Sequence, residues 1–221
     1  MLAKELISEI VPALRTSDTG QKALNWMEVF RVSHLPIVNN KEFLGLISDT
    51  DIYDLNMVDE PIGNHKLSLF SPYVFDDQHI YEVIEITARL KLTVVPVLDR
   101  KNRYLGLITM NNLITYFADL TALNNPGAII ALELHQNDYS LSQIAQIFES
   151  NDARILSFYI RSHEDSMKME LVIKVNVTDL SGILQTLDRY DYMVKASFME
   201  EDKLDSLYAS RYEEFMKYLN I

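Results

Sequence analysis

The stretches LGLIS at residues 44–48 and LGLIT at residues 105–109 decide the fold, because each belongs to one copy of a longer repeated pattern. The segment from Pro12 to Leu55 matches the segment from Pro72 to Phe117 at an offset of 60 residues, which becomes 61 after a one-residue insertion. Self-similarity at a fixed period indicates repeated structural units. The first half of the chain is therefore predicted to contain two copies of one fold unit.

Each copy begins with helical periodicity and continues into two short strands. The strands are the β-branched runs HLPIV (34–38) and TVVPVL (93–98) and the repeated LGLI stretches, separated by polar turns. A proline cannot donate to a sheet ladder, so it belongs at an edge or a strand start. A second helix is expected to begin at 48–51, where Ser, Asp and Thr are good N-cap residues. Apolar residues three or four apart predict the first helices, at Ala23, Leu24, Met27 and Phe30 and at Ile80, Val83, Ile84, Thr87 and Leu90.

This order of helix, proline-bearing strand, turn, glycine-bearing strand and S/T-x-x-D helix, given twice, resembles a pair of CBS domains. The resemblance covers roughly residues 1 to 120, with the repeats expected at 1–62 and 63–122. It implies a Bateman module, in which the paired repeats pack about a pseudo-twofold axis and leave two clefts. In many members of the family those clefts hold adenosine-containing ligands.

The resemblance assigns the first cleft to Ser48, Thr50 and Asp51, with Leu92 and Thr93 on the opposite wall. In nucleotide-binding members the S/T-x-x-D turn binds phosphate and ribose hydroxyls. A carboxylate can accept two ribose hydroxyl hydrogen bonds, and a helix N-terminus favours phosphate. The alternative reading is that Ser48 and Asp51 only cap the helix.

The second cleft departs from the family pattern. Thr109 is kept, but Asn112 stands in the aspartate position, so the ionic strengthening of a ribose hydrogen bond is lost. The resemblance places Val32 and Ser33, within RVSHLP, on the facing wall. This cleft is expected to bind more weakly than the first.

A second domain is expected after the turn signal ALNNPGA at 122–128. Strand and helix patterns then follow in the order βαββαβ over residues 127–199, which is the ferredoxin-like split arrangement. Together with its position after the repeats, this order resembles an ACT domain. The fold class is therefore α+β: tandem CBS repeats, a ferredoxin-like (ACT-like) domain and a terminal helix.

The glycine turn of amino-acid-binding ACT domains is missing, since the chain reads Asn137, Asp138, Tyr139, Ser140 there. Only Asp138 matches, which leaves either amino-acid binding or a structural role in pairing sheet edges between two copies. The tail at 200–221 is predicted to be an amphipathic helix. Its acidic polar face favours packing on its own domain or across a dimer over a membrane role. Its apolar stripe comprises Leu204, Tyr208, Tyr212, Phe215 and Leu219.

Composition excludes several classes of function. The chain has 32 Asp and Glu against 20 Lys and Arg, so a nucleic-acid partner is not expected. It has no cysteine, and its five histidines lack the paired spacing of metal ligands, so no metal site is expected, although His34 lies beside the predicted cleft. No nucleophile elbow, phosphate loop or zinc-protease motif is present, so no catalytic residue is assigned. Without a long apolar run, the protein is expected to be cytoplasmic and to have no membrane partner.

These observations predict a non-catalytic regulatory protein that senses AMP, ADP, ATP or S-adenosylmethionine between its CBS repeats. It would need no cofactor, would form a homodimer and would act on a regulated protein that the sequence does not identify. The combination of domains resembles acetoin-utilisation accessory proteins. The alternative is a scaffold that dimerises or binds partners without any ligand.

Overall fold

The computed structural model describes residues 1–54, 56, 58–65, 69, 71–162 and 167–199. The predicted terminal helix at 200–221 lies outside these residues. The chain divides into two compact units, Met1–Tyr116 and Phe117–Ile221.

In the first repeat, two helices flank an antiparallel hairpin. Helix α1 (Gly20–Phe30) begins after Thr19, whose hydroxyl accepts a hydrogen bond from the Lys22 N–H, and it ends at Arg31 in the left-handed conformation. Strands β1 (His34–Asn39) and β2 (Glu42–Ser48) pair antiparallel, and helix α2 (Asp49–Asp54) follows directly.

The second repeat contains the same four elements in the same order, preceded by a two-residue strand. It contains β3 (Val74–Phe75), α3 (Ile80–Leu90), β4 (Val94–Leu98), β5 (Tyr104–Thr109) and α4 (Met110–Leu120). Lys91 ends α3 in the left-handed conformation, as Arg31 ends α1 sixty residues earlier. The structural repeat therefore follows the sequence repeat closely, down to its helix caps.

The prolines of the two repeats lie in strands without losing essential hydrogen bonds. Pro96 is in β4, the central strand of the order β3-β4-β5, but β3 pairs only with Val97 and Leu98. The missing donor of Pro96 therefore falls beyond the end of β3, consistent with the rule that proline avoids a continuous ladder. In the first repeat the carbonyl of Pro36 accepts from the Leu14 N–H at 2.8 Å.

Each repeat receives a segment from elsewhere in the chain, and a glycine makes room for it. The Ser8 N–H donates to the Leu107 carbonyl at 2.8 Å, and a Cβ on Gly106 would overlap Cγ2 of Ile7. In the first repeat a Cβ on Gly45 would overlap Leu69 in the same way. The N-terminal segment of the first repeat thus packs on the second repeat, and Leu69, near the start of the second repeat, packs on the first.

The two repeats also meet at their turns. The Tyr104 N–H donates to the Lys41 carbonyl at 2.8 Å, and the rings of Phe43 and Tyr104 stack with centroids 6.5 Å apart. Burial raises the pKa of the Tyr104 phenol. A single core of apolar side chains joins the repeats, including Leu14, Leu35, Ile37, Ile47, Ile52, Ile62, Ile80, Val95, Leu107 and Ile108.

The second unit contains a four-stranded antiparallel sheet. Its strand order is β7-β8-β6-β9, so β8 and β6 are the central strands and β7 and β9 are the edges. The elements follow the βαββαβ order of a split βαβ arrangement. They are β6 (Ile129–His135), α5 (Leu141–Ser150), β7 (Ile155–Ser162), β8 (Lys168–Val175), α6 (Ser181–Arg189) and β9 (Met193–Phe198).

The core of this second unit lies on one face of its sheet. Ile130 and Leu132 of β6 pair with Ile173 and Leu171 of β8, and all four side chains are buried. Phe148 of α5 is fully buried in the same cluster, which also takes in apolar residues of α6. Alternation along both central strands therefore directs one set of side chains toward the helices.

The fit of Ile7 against Gly106 can be tested by a substitution. Gly106→Ala should lower the free energy of unfolding by roughly 1–3 kcal/mol. The added methyl collides with Ile7, and the positive φ at position 106 is unfavourable for alanine. In an Ile7→Ala background the same change should cost less, because the collision is removed. Urea denaturation of the two single variants and the double variant measures this coupling. An equal cost in both backgrounds would contradict the packing described above.

Candidate functional site

The turn before α2 is closed by a reciprocal cap. One carboxylate oxygen of Asp51 accepts from the Ser48 N–H at 2.8 Å and from the Ser48 hydroxyl at 2.7 Å. In return, the Ser48 hydroxyl oxygen accepts from the Asp51 N–H at 3.1 Å. Thr50 instead contacts Asp49, to which its N–H donates at 2.8 Å. The three residues assigned to the first cleft are therefore adjacent, with Ser48 and Asp51 bonded to each other.

The equivalent turn of the second repeat has the same closure and one additional bond. The Thr109 hydroxyl donates to the Asn112 side-chain oxygen at 2.8 Å and accepts from the Asn112 N–H at 3.1 Å. The Asn112 side-chain amide also donates to the Leu6 carbonyl at 3.3 Å. A carboxylate has no proton to donate there, so asparagine holds the N-terminal segment in a way that aspartate cannot.

The segments before the two proline strands meet between the repeats. The Thr93 hydroxyl accepts from the Ser33 N–H at 3.0 Å and lies 3.1 Å from Nδ1 of His34. Each segment also bonds to the start of the second helix in its own repeat. The Ser33 carbonyl accepts from the Asp49 N–H, and the Thr93 carbonyl accepts from the Met110 N–H. Leu92 is only 2% exposed and belongs to the core.

A cavity of about 430 Å³ lies beside this junction. It brings together Val32, Thr109 and Asn112, three of the four residues assigned to the second cleft. Thr93, assigned to the first cleft, also lines it. Ser33, Leu92 and the Ser48–Asp51 turn are not among its lining residues. The full lining is Ser8, Ile10, Val11, Val29, Phe30, Arg31, Val32, Thr93, Thr109, Met110, Asn111 and Asn112.

Sequence reasoning missed the contribution of the N-terminal segment and of Arg31. Ser8, Ile10 and Val11 reach the cavity only because their segment crosses to the second repeat, and no periodic signal marks such a crossing. Arg31 could have been found, since it opens the RVSHLP stretch that carries the family resemblance. It is the single formal charge in the cavity lining.

The chemistry of this lining suits an anion attached to an apolar ring. Hydroxyl groups of Ser8, Thr93 and Thr109 and amides of Asn111 and Asn112 supply hydrogen bonds, while the remaining lining is apolar. A guanidinium without a competing carboxylate attracts phosphate. Apolar walls with a few convergent polar groups are typical of small-molecule sites.

His34 lies half-buried at the junction of the repeats. Burial lowers the pKa of its imidazole, and the negative charges of Asp49 and Asp51 oppose that shift. The neutral form is therefore favoured in the folded protein, next to the Thr93 hydroxyl.

The described part of the chain has neither a metal-binding cluster nor a membrane-spanning helix. No group of three or more His, Asp or Glu side chains within it has the arrangement of a metal site. None of the helices described there combines the length and apolar character that a membrane span requires.

Comparison with known proteins identifies the first unit. The family model of the CBS domain matches residues 3–58 and again residues 60–119, together more than half of the chain. The chain therefore belongs to the CBS domain family, with two CBS domains in tandem.

The relatives and solved structures that match resemble only part of this chain. Inosine-5'-monophosphate dehydrogenase of Methanocaldococcus jannaschii is 26% identical over 115 residues, which are 51% of this chain and 23% of that enzyme. A Thermotoga maritima CBS domain pair/ACT domain protein has a TM-score of 0.48 at 20% identity, covering 54% of this chain and 98% of its own. The CBS domains of a Streptococcus pneumoniae transcriptional regulator have a TM-score of 0.46 at 20% identity, covering 52% and 98%.

The bond from Asn112 to Leu6 predicts a pH-dependent effect. Asn112→Asp should lower the free energy of unfolding by about 1–2 kcal/mol at neutral pH, because a carboxylate then faces the Leu6 carbonyl. This environment raises the folded-state pKa of the new carboxyl, so the loss should grow as pH rises through that pKa and shrink in acid. Urea denaturation at about pH 4.5 and about pH 7.5 measures it. The matched change Asp51→Asn, which keeps both acceptor bonds, should show no such growth.

The depressed pKa of His34 predicts a second pH effect. Because the folded pKa is below the unfolded value, the unfolded state binds the proton first, and stability should fall as pH drops through the unfolded pKa of about 6.5. His34→Gln keeps a partner for Thr93 but cannot titrate. Thermal denaturation between about pH 7.5 and pH 5 should therefore show a steeper decline for the natural chain than for the variant. Parallel curves would show that His34 titrates normally.

Proposed function

We propose that this chain is a non-catalytic regulatory protein that senses an adenosine-containing ligand between its two CBS domains. The observation that carries the proposal is the cavity in which Thr93, Thr109 and Asn112 converge with Arg31. Candidate ligands are AMP, ADP, ATP and S-adenosylmethionine.

The cavity offers each part of a nucleotide a suitable neighbour. The adenine would lie against apolar side chains such as Val32 and Ile10, and the ribose hydroxyls would bond Thr109 and Asn112. The guanidinium of Arg31 would face the phosphate, since Arg and phosphate form strong charge-assisted hydrogen bonds. The cavity volume of about 430 Å³ lies within the range of small-molecule sites.

The first cleft is a second proposed site. Asp51 has a carboxylate that suits two ribose hydroxyls, and Ser48 and Thr50 lie beside it. Leu92 and Thr93 would form the opposite wall. A ligand there would have to replace the two bonds that Asp51 accepts from Ser48. That exchange is feasible because the Ser48–Asp51 bonds are exposed to solvent, where water can take over any bond left unmade.

The remaining assignments extend this proposal. The βαββαβ order of the second unit supports an ACT-like domain at 127–199, following repeats at 1–62 and 63–122. The chain would act in the cytoplasm as a homodimer on a regulated protein of unknown identity. Ligand binding between the repeats would change how the chain meets that protein.

A ligand-free scaffold is the second candidate, and exposed apolar side chains favour it. Val29 on α1, Tyr53 on α2, Tyr81 on α3 and Ile114 on α4 are 61–70% exposed. Large apolar side chains at helix surfaces are suited to contact with another protein.

Calorimetry and thermal shift with the four ligands distinguish the two candidates. If a ligand binds only the folded state and its free concentration is a hundred times its Kd, it raises the free energy of unfolding by about 2.7 kcal/mol. We expect a shift with at least one adenosine compound at millimolar concentration. No shift with any of them would reject the sensor and leave the scaffold.

Variants assign the ligand to its cleft. Arg31→Ala should weaken AMP binding in the cavity about fivefold to tenfold, because it removes a charge-assisted contact to phosphate. Lys91→Ala is the matched control, since Lys91 ends the equivalent helix of the second repeat and does not line the cavity. Asp51→Ala should remove binding in the first cleft. Retention of full affinity and stoichiometry in both Arg31→Ala and Asp51→Ala would exclude both assigned sites.

A further inference from the structure

A separate cavity of about 570 Å³ lies within the second unit, where β6 ends and β8 and β9 begin. The proposed adenosine sensing does not use it. Its lining comes from the turn after β6, the start of α5 and the turn before β9. Its lining includes Asp138 and Asp191 and the tyrosines Tyr139, Tyr190 and Tyr192.

Three tyrosines give this cavity aromatic walls. Tyr192 is 8% exposed, and its hydroxyl donates to the side-chain oxygen of Gln143 at 2.8 Å, which holds the ring in place. Tyr139 packs partly against the core, whereas Tyr190 is half exposed. The faces of such rings attract cations and also pack well against apolar groups.

The charges of the lining favour a positively charged ligand. Glu133 is paired with Lys168, and that hydrogen bond holds the pKa of the Glu133 carboxyl below its usual value. Asp138 and Asp191 also line the cavity, and no side-chain hydrogen bond or ion pair joins either of them to another described residue. Two uncompensated carboxylates therefore remain beside the tyrosines.

The carboxylate of Asp138 lies near the ring of Tyr192. Burial raises the pKa of the Tyr192 phenol, and the nearby Asp138 carboxylate raises it further. An anionic ligand would face the same carboxylate. At the start of α5 the Ser140 hydroxyl already accepts from the Gln143 N–H, so the helix N-terminus is capped by its own side chain.

We propose that this cavity binds a small organic cation, a protonated primary amine carried on an apolar or aromatic body. The ammonium would lie between Asp138 and Asp191, and the body would pack against Tyr139, Tyr190 and Tyr192. A carboxylate on the ligand is not required for binding. The inference is independent of the proposed adenosine site, because the two use different residues.

The test uses 2-phenylethylamine as the probe for the full chain. Isothermal titration calorimetry is carried out at about pH 8, where the primary amine is protonated. We expect 2-phenylethylamine to bind, and 2-phenylethanol and 3-phenylpropionate, which share its ring, to bind at least fivefold more weakly. Chemical-shift changes at the ring resonances of the three tyrosines would locate the probe. Equal binding of the alcohol, or no binding of the amine at millimolar concentration, would overturn the proposal.

Matched variants separate the ammonium contact from a general effect. Asp138→Asn and Asp191→Asn should each weaken amine binding about threefold to fivefold, as expected for a partly exposed ion pair. Asp188→Asn is the control, since Asp188 is exposed on α6 and does not line the cavity. Unchanged affinity in both test variants would reject the carboxylate contact. Phenylalanine binding more tightly than 2-phenylethylamine would also overturn the proposal, because a carboxylate would then be recognised.

Discussion

The first unit depends on two glycines that let distant segments lie directly against a strand. Gly106 accommodates Ile7, and Gly45 accommodates Leu69. Through these contacts each repeat is completed by a segment that belongs to the other half of the module. Neither repeat is therefore a closed unit, and the shared core of apolar side chains follows from this exchange.

The difference between Asp51 and Asn112 has a structural consequence of its own. Both residues close the same turn with the preceding hydroxyl residue. Only Asn112 also bonds to the N-terminal segment, through the Leu6 carbonyl. Asparagine at this position thus adds a tertiary contact, and the two turns differ in their bonding as well as in charge.

Local sequence patterns predicted the features that depend on local interactions, namely the secondary-structure elements and their order. The 60-residue repeat, the helix starts and the βαββαβ order can each be derived from periodicity and capping residues. Contacts between remote segments could not be derived in this way, because nothing in Ser8 or Ile10 indicates that they reach the second repeat. The same holds for the tyrosine-lined cavity, since Tyr139 and Tyr192 come together only when the sheet forms. Thr93 was expected in the first cleft, and it lines the cavity that also contains Val32, Thr109 and Asn112, because both segments before the proline strands meet at one junction.

The crossing of the N-terminal segment also constrains how the chain is made. The Ser8 N–H bonds to the Leu107 carbonyl, ninety-nine residues later in the chain. At a synthesis rate of about 5–20 residues per second, that segment waits on the order of 5–20 s before its docking strand exists. Ile7 and its apolar neighbours stay exposed during this interval. This segment therefore finds its partner only after the second repeat has been made, and a chaperone can bind it throughout that interval.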